Sequence, residues 1–318
     1  MTNANTWRPL ATNDVIKRRA LLYRQIREFM ATRQVMEVDT PILASAGITD
    51  PFIDTVTASA SLPDLEHLYL HSSPEFCMKR LLAAGSGDIF QIAHVFRNGE
   101  QGRRHTIEFT MLEWYRLGMD YHQLMDEVAA LLETLGLETP TRVTYADIFE
   151  QAVKVHPLQA ETAELMALAR NAGWDDASDD RHELLDFLFS HRVNKEIRSE
   201  KSLMIHDYPA CMSVLSKIKA DNSEVCERFE LFLNGMEVAN GFSELSDPLE
   251  QRERFLKDIE VRKQKQLPVA PLDEHFLAAL EHGLPECAGV AVGLDRLLMV
   301  LSGSDDIHDM HTFTLKNN

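Results

Sequence analysis

The chain has 318 residues, 45% of them hydrophobic and 26% charged, with 14 glycines and 12 prolines, which is enough for a sizeable core and excludes collagen-like, low-complexity and disordered classes. Asp plus Glu number 50 against 32 Lys plus Arg, a net charge of −18, and so acidic a body gains nothing from counterion release along a nucleic-acid backbone. No apolar run approaches the ~20 residues that cross a bilayer, the N-terminus lacks a signal-like segment, and Cys77, Cys211, Cys226 and Cys287 form no C-x-x-C pair, so buried reduced thiols in a cytoplasmic protein are expected.

Thr12-Asn13-Asp14 opens a helix over 15–34, in which Ile16, Leu22, Ile26, Phe29 and Met30 fall at near-helical spacing. Lys17, Arg18, Arg19, Arg24, Arg27 and Arg33 form a basic strip on it, either a solvated face or a docking strip. VMEVDTPIL reads as a strand that Pro41 confines to an edge or a start, where it could follow a subunit boundary. Residues 67–115 read as strand (HLYLHSSPE), helix (FCMKRLLAAG), strand (DIFQIAHVFR), polar loop (NGEQGRRHT) and strand (IEFTMLEWY). Helical patterns at 118–136 and 158–192 flank a mixed stretch, VTYADIFEQAVKV, and a helical insertion is expected at about 141–200. LMIHDYP returns to strand, SVLSKIK looks helix-like, and RFELFLNGMEVANGF is a hairpin turning at Asn234-Gly235. Asp247-Pro248-Leu249-Glu250 starts a helix running to about Lys265, Asp273 caps another over 274–282 that Gly283 ends, and GVAVGLDRLLMVLSG is a strand entering a short apolar helix. Hairpin-joined strands with helices between them favour an α+β fold with an antiparallel sheet flanked by helices, here one domain over 1–318.

Familiar catalytic signatures are absent. There is no G-x-x-x-x-G-K-[ST], Gly85 and Gly87 lack the third glycine of a dinucleotide fingerprint, the H-E-x-x-H that His182-Glu183 begins fails at Asp186, and no G-x-S-x-G elbow occurs. Chemistry-bearing residues gather elsewhere. The loop after Arg97 holds Glu100, Arg103, Arg104 and His105, and period-two geometry puts Phe109, Met111, Glu113 and Tyr115 on one face of the returning strand. Glu113 reads either as a cross-strand partner of Arg97 or Arg116, or as part of a surface where an aromatic ring and an arginine hold a purine and a phosphate. A two-residue turn at 234 and 235 places Phe232 opposite Glu237 and Glu230 opposite Ala239, so the two glutamates share a face, either solvated or shared with magnesium, and Asn240 and Glu244 continue the polar series. Arg296, at the start of the last helix, opposes the macrodipole by ~0.3–1 kcal/mol unless an anion sits there.

A helix followed by a strand ending in Pro41, F-R-loop-R-H-x-x-E-F at 96–109 and G-x-x-x-G-x-x-R at 289–296 together resemble the class II aminoacyl-tRNA synthetases. SSPEFCMKRLL, EFTMLEWY and MEVANGFSEL look like the catalytic domain of the lysyl-tRNA synthetases over about 15–305. Only 14 residues precede the first helix, so no anticodon-binding domain is expected. With that and the acidic charge, the chain is more similar to the family of shortened lysyl-tRNA synthetase paralogues that attach (R)-β-lysine to a lysine of elongation factor P, through SPEFxMKRLL, GRRH, EFTMLEWYR and CAGVAVGLDRL.

That resemblance implies an ATP-dependent, AMP-forming ligase with Arg97 as α-phosphate clamp, Phe109 as adenine-stacking ring, Glu230 and Glu237 as Mg2+ carboxylates and Arg296 as γ-phosphate ligand. Asn98, Gly99, Glu100, His105, Thr106, Val238 and Gly293 complete the implied ATP contacts. Ser73, Pro74, Glu75, Tyr115 and Glu244 would line the amino-acid pocket, with Glu113, Asn240 and Ala291 beside them. Three positions depart from the lysyl-tRNA synthetase pattern: Gly99 with Glu100 after it replaces an adenine-reading glutamate, Thr106-Ile107 replaces Asn-Pro, and Ala291 replaces a glycine in a way that fits a β-amino acid. The implied partners are elongation factor P, (R)-β-lysine and a second copy of the chain, joined through the first helix and the Pro41 strand, and not tRNA. The alternatives are a related ligase for another amino acid and a catalytically silent regulatory subunit, although Arg97, Glu230, Glu237 and Arg296 are all retained.

Overall fold

The computed structural model describes residues 7–60 and 67–314. Thr12 caps α1 (Asn13–Thr32) by accepting from Val15 N at 3.3 Å, and Leu22, Ile26, Phe29 and Met30 form the buried stripe. Of the strand expected around Pro41, only β1 (Met36–Glu37) and β2 (Leu43–Ala44) form, with the proline between them where no ladder donor is needed. Next come β3 (Thr57–Ala58), β4 (Leu68–Leu70), α2 (Glu75–Ala83), β5 (Ile89–Phe96) and β6 (Glu108–Leu117). The middle of the chain gives α3 (Tyr121–Thr134), β7 (Thr141–Thr144), α4 (Tyr145–Val153), α5 (Thr162–Asn171), α6 (Arg181–Leu188) and α7 (Asn194–Ile197). β8 (Ser202–Pro209), β9 (Val225–Leu233), β10 (Met236–Ser243), α8 (Pro248–Gln264), α9 (Glu274–Gly283), β11 (Cys287–Gly293) and α10 (Leu294–Ser302) complete it.

The chain divides into two compact units. The first comprises Met1–Leu117, Ser246–Glu286 and Ala291–Asn318. Its centre is the β5/β6 hairpin, antiparallel from Ile89↔Tyr115 to Phe96↔Glu108, with β1 running parallel to β5. Asp295 at the start of α10 is buried because it is doubly partnered: it accepts from Thr110 N of β6 at 2.6 Å and from the Arg19 guanidinium of α1. Four further cations of the basic strip are engaged within the chain: Arg18 donates to Leu301 O at 3.1 Å, Arg24 meets Glu28 at 3.8 Å, Arg27 meets Glu37 at 2.8 Å, and Arg33 lies over the Phe29 ring at 3.5 Å. Phe76, Phe255 and Phe276 pack α2, α8 and α9 together, with Phe76 stacked on Phe276 at 4.6 Å between centroids.

The second unit comprises Gly118–Leu245 and Cys287–Val290. Its strands follow the order β10-β9-β8-β7, antiparallel except for the β7/β8 pair. Tyr145, Phe149, Leu165, Leu184, Leu188, Ile205 and Phe232 belong to one apolar core, which explains why the stretch 143–155, mixed in pattern, divides into a strand and an amphipathic helix. Asn234 and Gly235 have φ of 50° and 70°, as a two-residue turn of the expected kind requires. The register then departs from the expected one. A bulge at Val238 leaves Glu237 opposite Phe232 but puts Asn240, not Ala239, opposite Glu230. SVLSKIK is a turn at Val214-Leu215 followed by isolated bridges and not a helix, because its backbone finds long-range partners: Lys217 N donates to Ser243 O at 2.9 Å and Glu227 N to Lys217 O at 2.8 Å.

Among the described pairings only β1/β5 and β7/β8 are parallel, and the fold is α+β with a mostly antiparallel sheet flanked by helices. Cys226 and Cys287 are buried and Cys77 half-buried, but Cys211 is exposed on a single 3₁₀ turn, Ala210–Met212, so the expectation of buried thiols fails there. No helix among the described residues is long and apolar enough to cross a membrane.

Candidate active site

In the first unit the β5–β6 hairpin carries the arginines. Arg97 N donates to Ile107 O at 2.9 Å where the strands part, which fixes the side chain at the mouth of the loop. Its guanidinium lies 5.3 Å from the Phe109 ring centroid and 3.7 Å from Glu100, and its Nε is buried with no hydrogen-bond partner among the described residues. A buried donor left open beside an aromatic face suits an anion attached to a planar ring. Phe109 and Ala291 both pack against the buried cluster of Ala93, Val95 and Met111. Asn98 N donates to Asp54 O at 2.8 Å, and Gly99 turns at φ 77° with open space around it.

Gly102 and His105 pair across the loop tip, and Arg103, Arg104, His105 and Asp305 line a cavity of about 410 Å³. Arg296, in the first turn of α10 just after Gly293, donates from Nε to Arg104 O at 3.2 Å, and Ile307 N donates to Arg103 O at 2.8 Å. The arginine-bearing loop is thus tied at Arg104 to the helix start that carries Arg296, an arrangement that favours polyanions. Thr106 is placed differently: its hydroxyl donates to Glu108 O at 2.7 Å and it lines another cavity, of about 570 Å³, with Arg19, Tyr23 and His311.

Glu113 does not pair with either arginine. Arg116 binds Asp88 at 3.1 Å, while the Glu113 carboxylate, 2% exposed, accepts from Ser73 Oγ and from Tyr115 OH, both at 2.6 Å. Tyr115 reaches it because residues two apart share a strand face. Ser73 is itself held by Glu75 N at 3.0 Å, at the start of α2 where Pro74 caps, and one turn on the fully buried Lys79 donates to Glu75 at 2.6 Å. Burial, reinforced by the charge of Glu75, pushes the Glu113 carboxyl up to about 7 against the pull of Ser73, Tyr115 and Lys79. Two carboxylates, Glu75 and Glu113, thus lie close to the Lys79 ammonium.

In the second unit Glu230 and Glu237 occupy one face of the β9/β10 hairpin, Glu230 half-buried and Glu237 exposed. Glu230 accepts from Tyr208 OH at 2.7 Å and from the Arg228 guanidinium, whose Nε donates to Asn240 Oδ1 at 3.1 Å. Burial pushes the Glu230 carboxyl up to about 7; Arg228 opposes this and Glu237 adds to it. Two hard-oxygen donors that repel each other on one face fit a magnesium ion. Glu244 is 1% exposed and anchored through its backbone, N to Cys287 O at 3.0 Å, and Val238 is the buried bulge residue.

Lys79, Arg228 and Tyr208 complete these clusters and were not among the residues expected from sequence. Lys79 follows Glu75 by four residues on a helix, and Arg228 precedes Glu230 by two on a strand, so both spacings were signals. Tyr208 carried none.

Residues 4–317 match the family of class II tRNA synthetases (D, K and N). The chain is 45% identical over 320 residues, 98% of each chain, to a protein of Vibrio cholerae serotype O1 named elongation factor P--(R)-beta-lysine ligase. Relatives bearing the same name in Haemophilus influenzae strain PittGG and Pasteurella multocida strain Pm70 are each 42% identical across the full length of both chains.

Proposed function

Since the chain belongs to the class II tRNA synthetases (D, K and N), we propose that it activates (R)-β-lysine with ATP and transfers it to the ε-amine of a lysine on elongation factor P. The observation that carries this reading is near-full-length likeness to relatives that bear that ligase's name. In the first step a carboxylate oxygen of β-lysine attacks the α-phosphorus of ATP, the α–β phosphoanhydride bond breaks and pyrophosphate leaves. In the second the acceptor amine attacks the acyl carbon, AMP departs, and the nitrogen gives up a proton to form the amide. A carboxylate nucleophile is already ionised, so the protein's task is positioning and charge stabilisation.

Arg97 and Phe109 clamp the α-phosphate and stack the adenine, and Arg296 with the loop arginines takes the outer phosphates. Glu113 with Ser73 and Tyr115, and Glu75 with Lys79, receive a substrate ammonium in a dry pocket, where an uncharged analogue leaves a buried carboxylate unpaired. Glu244 is a further buried carboxylate, in the second unit. Glu230 and Glu237 hold Mg2+, which when bound neutralises phosphate charge. Exposed Ile16, Leu21, Met36, Ile42 and Leu43, on α1 and the Pro41 segment, support a homodimer through those elements. The −18 charge favours a protein acceptor over tRNA and suits a cytoplasmic enzyme.

The test is ATP–pyrophosphate exchange with Mg2+ and (R)-β-lysine, L-lysine, other amino acids or none, followed by the mass gain of elongation factor P. Preference for β-lysine supports the reading, preference for another amino acid moves the assignment to a different ligase, and no exchange favours the silent subunit. Arg97→Ala is expected to lower exchange by ~100-fold or more with far-UV CD unchanged; wild-type turnover in that variant sinks the clamp assignment. Sedimentation at micromolar concentration should give a dimer, and a monomer overturns that part.

A further inference from the structure

Outside these clusters the second unit brings His122, His206 and Asp207 together. His122 lies in the first turn of α3, and His206 and Asp207 are consecutive in β8. Consecutive strand residues normally point to opposite faces. Here the β8/β9 register shifts between His206 and Tyr208, and Asp207 adopts φ 61°, a left-handed conformation that aspartate tolerates better than most residues. Such a bulge re-aims side chains, and one ring nitrogen of each histidine and one carboxylate oxygen of Asp207 come within 4.8 Å of one another.

The surroundings are those of a ligand set. The imidazoles meet edge to face at 5.4 Å between centroids. His206 Nδ1 is buried, makes no hydrogen bond among the described residues and lies 3.4 Å from Asp207 Oδ2. Tyr121 OH donates to Asp207 Oδ1, as outer donors orient ligating carboxylates, and Tyr121 N is fixed on Ser243 Oγ at 3.1 Å. Lys219 Nζ sits 3.2 Å from both Asp207 oxygens, so the cluster already attracts a cation.

We propose that His122, His206 and Asp207 bind a divalent transition-metal ion of the zinc class, tying the first turn of α3 to the β8 bulge. Two imidazoles and a carboxylate suit such an ion and do not suit magnesium, and three protein ligands leave a fourth position for water. Lys219 acts as the competing resident cation. The ligase reaction above makes no use of this ion.

The test is a Co2+ titration of the full chain in excess Mg2+, which saturates all-oxygen sites, read by visible absorption and equilibrium dialysis. The expected result is one Mg2+-resistant Co2+ per chain, with affinity lowered by roughly tenfold or more in both His122→Ala and His206→Ala. Affinity should rise in Lys219→Met and be unchanged in Cys211→Ser, which removes the exposed thiol. Metal-free melting checks that each variant folds, and His122→Gln serves if an alanine variant does not. Zn2+ should raise Tm in the parent in a chelator-reversible way and leave the histidine variants unmoved. Absence of Mg2+-resistant binding in the parent, unchanged affinity in either histidine variant, or loss of binding in Cys211→Ser overturns the proposal.

Discussion

Glu113 in the first unit and Glu230 in the second are both glutamates that burial pushes up to about 7, yet their surroundings differ. Around Glu113 the donors are two hydroxyls, Ser73 and Tyr115, and the only described ammonium nearby, that of Lys79, is held by Glu75. Hydroxyls can rotate away, so the pocket can hand its carboxylate to an incoming ammonium. Around Glu230 an arginine fork and a tyrosine fix the carboxylate, while Glu237 on the same hairpin face stays exposed. Magnesium keeps most of its water and accepts one or two carboxylates, so a half-open rigid face serves it better than a dry pocket. Burial sets the acidity of each glutamate, and in the proposed function the mobility and wetness of its neighbours would decide which cation it takes.

The strongest test of this contrast is charge removal. Lys79→Met leaves the half-buried Glu75 and the buried Glu113 without that cation and should destabilise the fold by ~3–5 kcal/mol, read from urea unfolding. Acid should restore part of the loss as Glu113 takes a proton; a loss under ~1 kcal/mol would mean that the pocket is wetter than its burial implies. Next, Glu230→Gln should lower pyrophosphate exchange by ~100-fold or more and flatten its Mg2+ dependence while Tm holds or rises. Unchanged Mg2+ dependence would remove Glu230 from the metal face and end the contrast.

The sequence made most of the scaffold legible where a single local rule decided the outcome. Thr12 before α1, Asn234-Gly235 in the hairpin and Asp247-Pro248 before α8 are signals carried by adjacent residues, and each element formed where they placed it. What was not legible depended on distant backbone. The Val238 bulge, which puts Asn240 rather than Ala239 opposite Glu230, has no composition of its own. SVLSKIK carries a helical pattern that its hydrogen bonds to Ser243 and Glu227 override. Glu113 has arginines close to it in sequence, whereas its hydroxyl partner Ser73 lies 40 residues away.

Glu113→Gln separates substrate binding from chemistry. If the carboxylate receives the substrate ammonium, KM for β-lysine should rise ~10–100-fold with kcat little changed, since a charged hydrogen bond is lost in ground and transition state alike. A fall in kcat at constant KM would instead assign Glu113 to the reacting end.

The smallest expected effect is a pH dependence of stability. Glu113 has its pKa raised in the folded chain, from 4.5 to about 7, so the folded state holds a proton that the unfolded chain has released across that interval. The stability it contributes is fully present below about pH 4.5 and is lost as pH rises through about 7. Glu113→Gln abolishes that decline, so its Tm relative to the parent should climb between those limits, by an amount worth roughly 1 kcal/mol because glutamine must still satisfy Ser73 and Tyr115. Glu230→Gln should show the same sign, and here the two regions part again. Saturating Mg2+ with a non-hydrolysable ATP analogue should keep Glu230 ionised and cancel its share without touching that of Glu113, whereas β-lysine should do the reverse. If either ligand flattened both profiles equally, the two glutamates would be serving one cation, and the distinction between a dry ammonium pocket and a wet metal face would have to be given up.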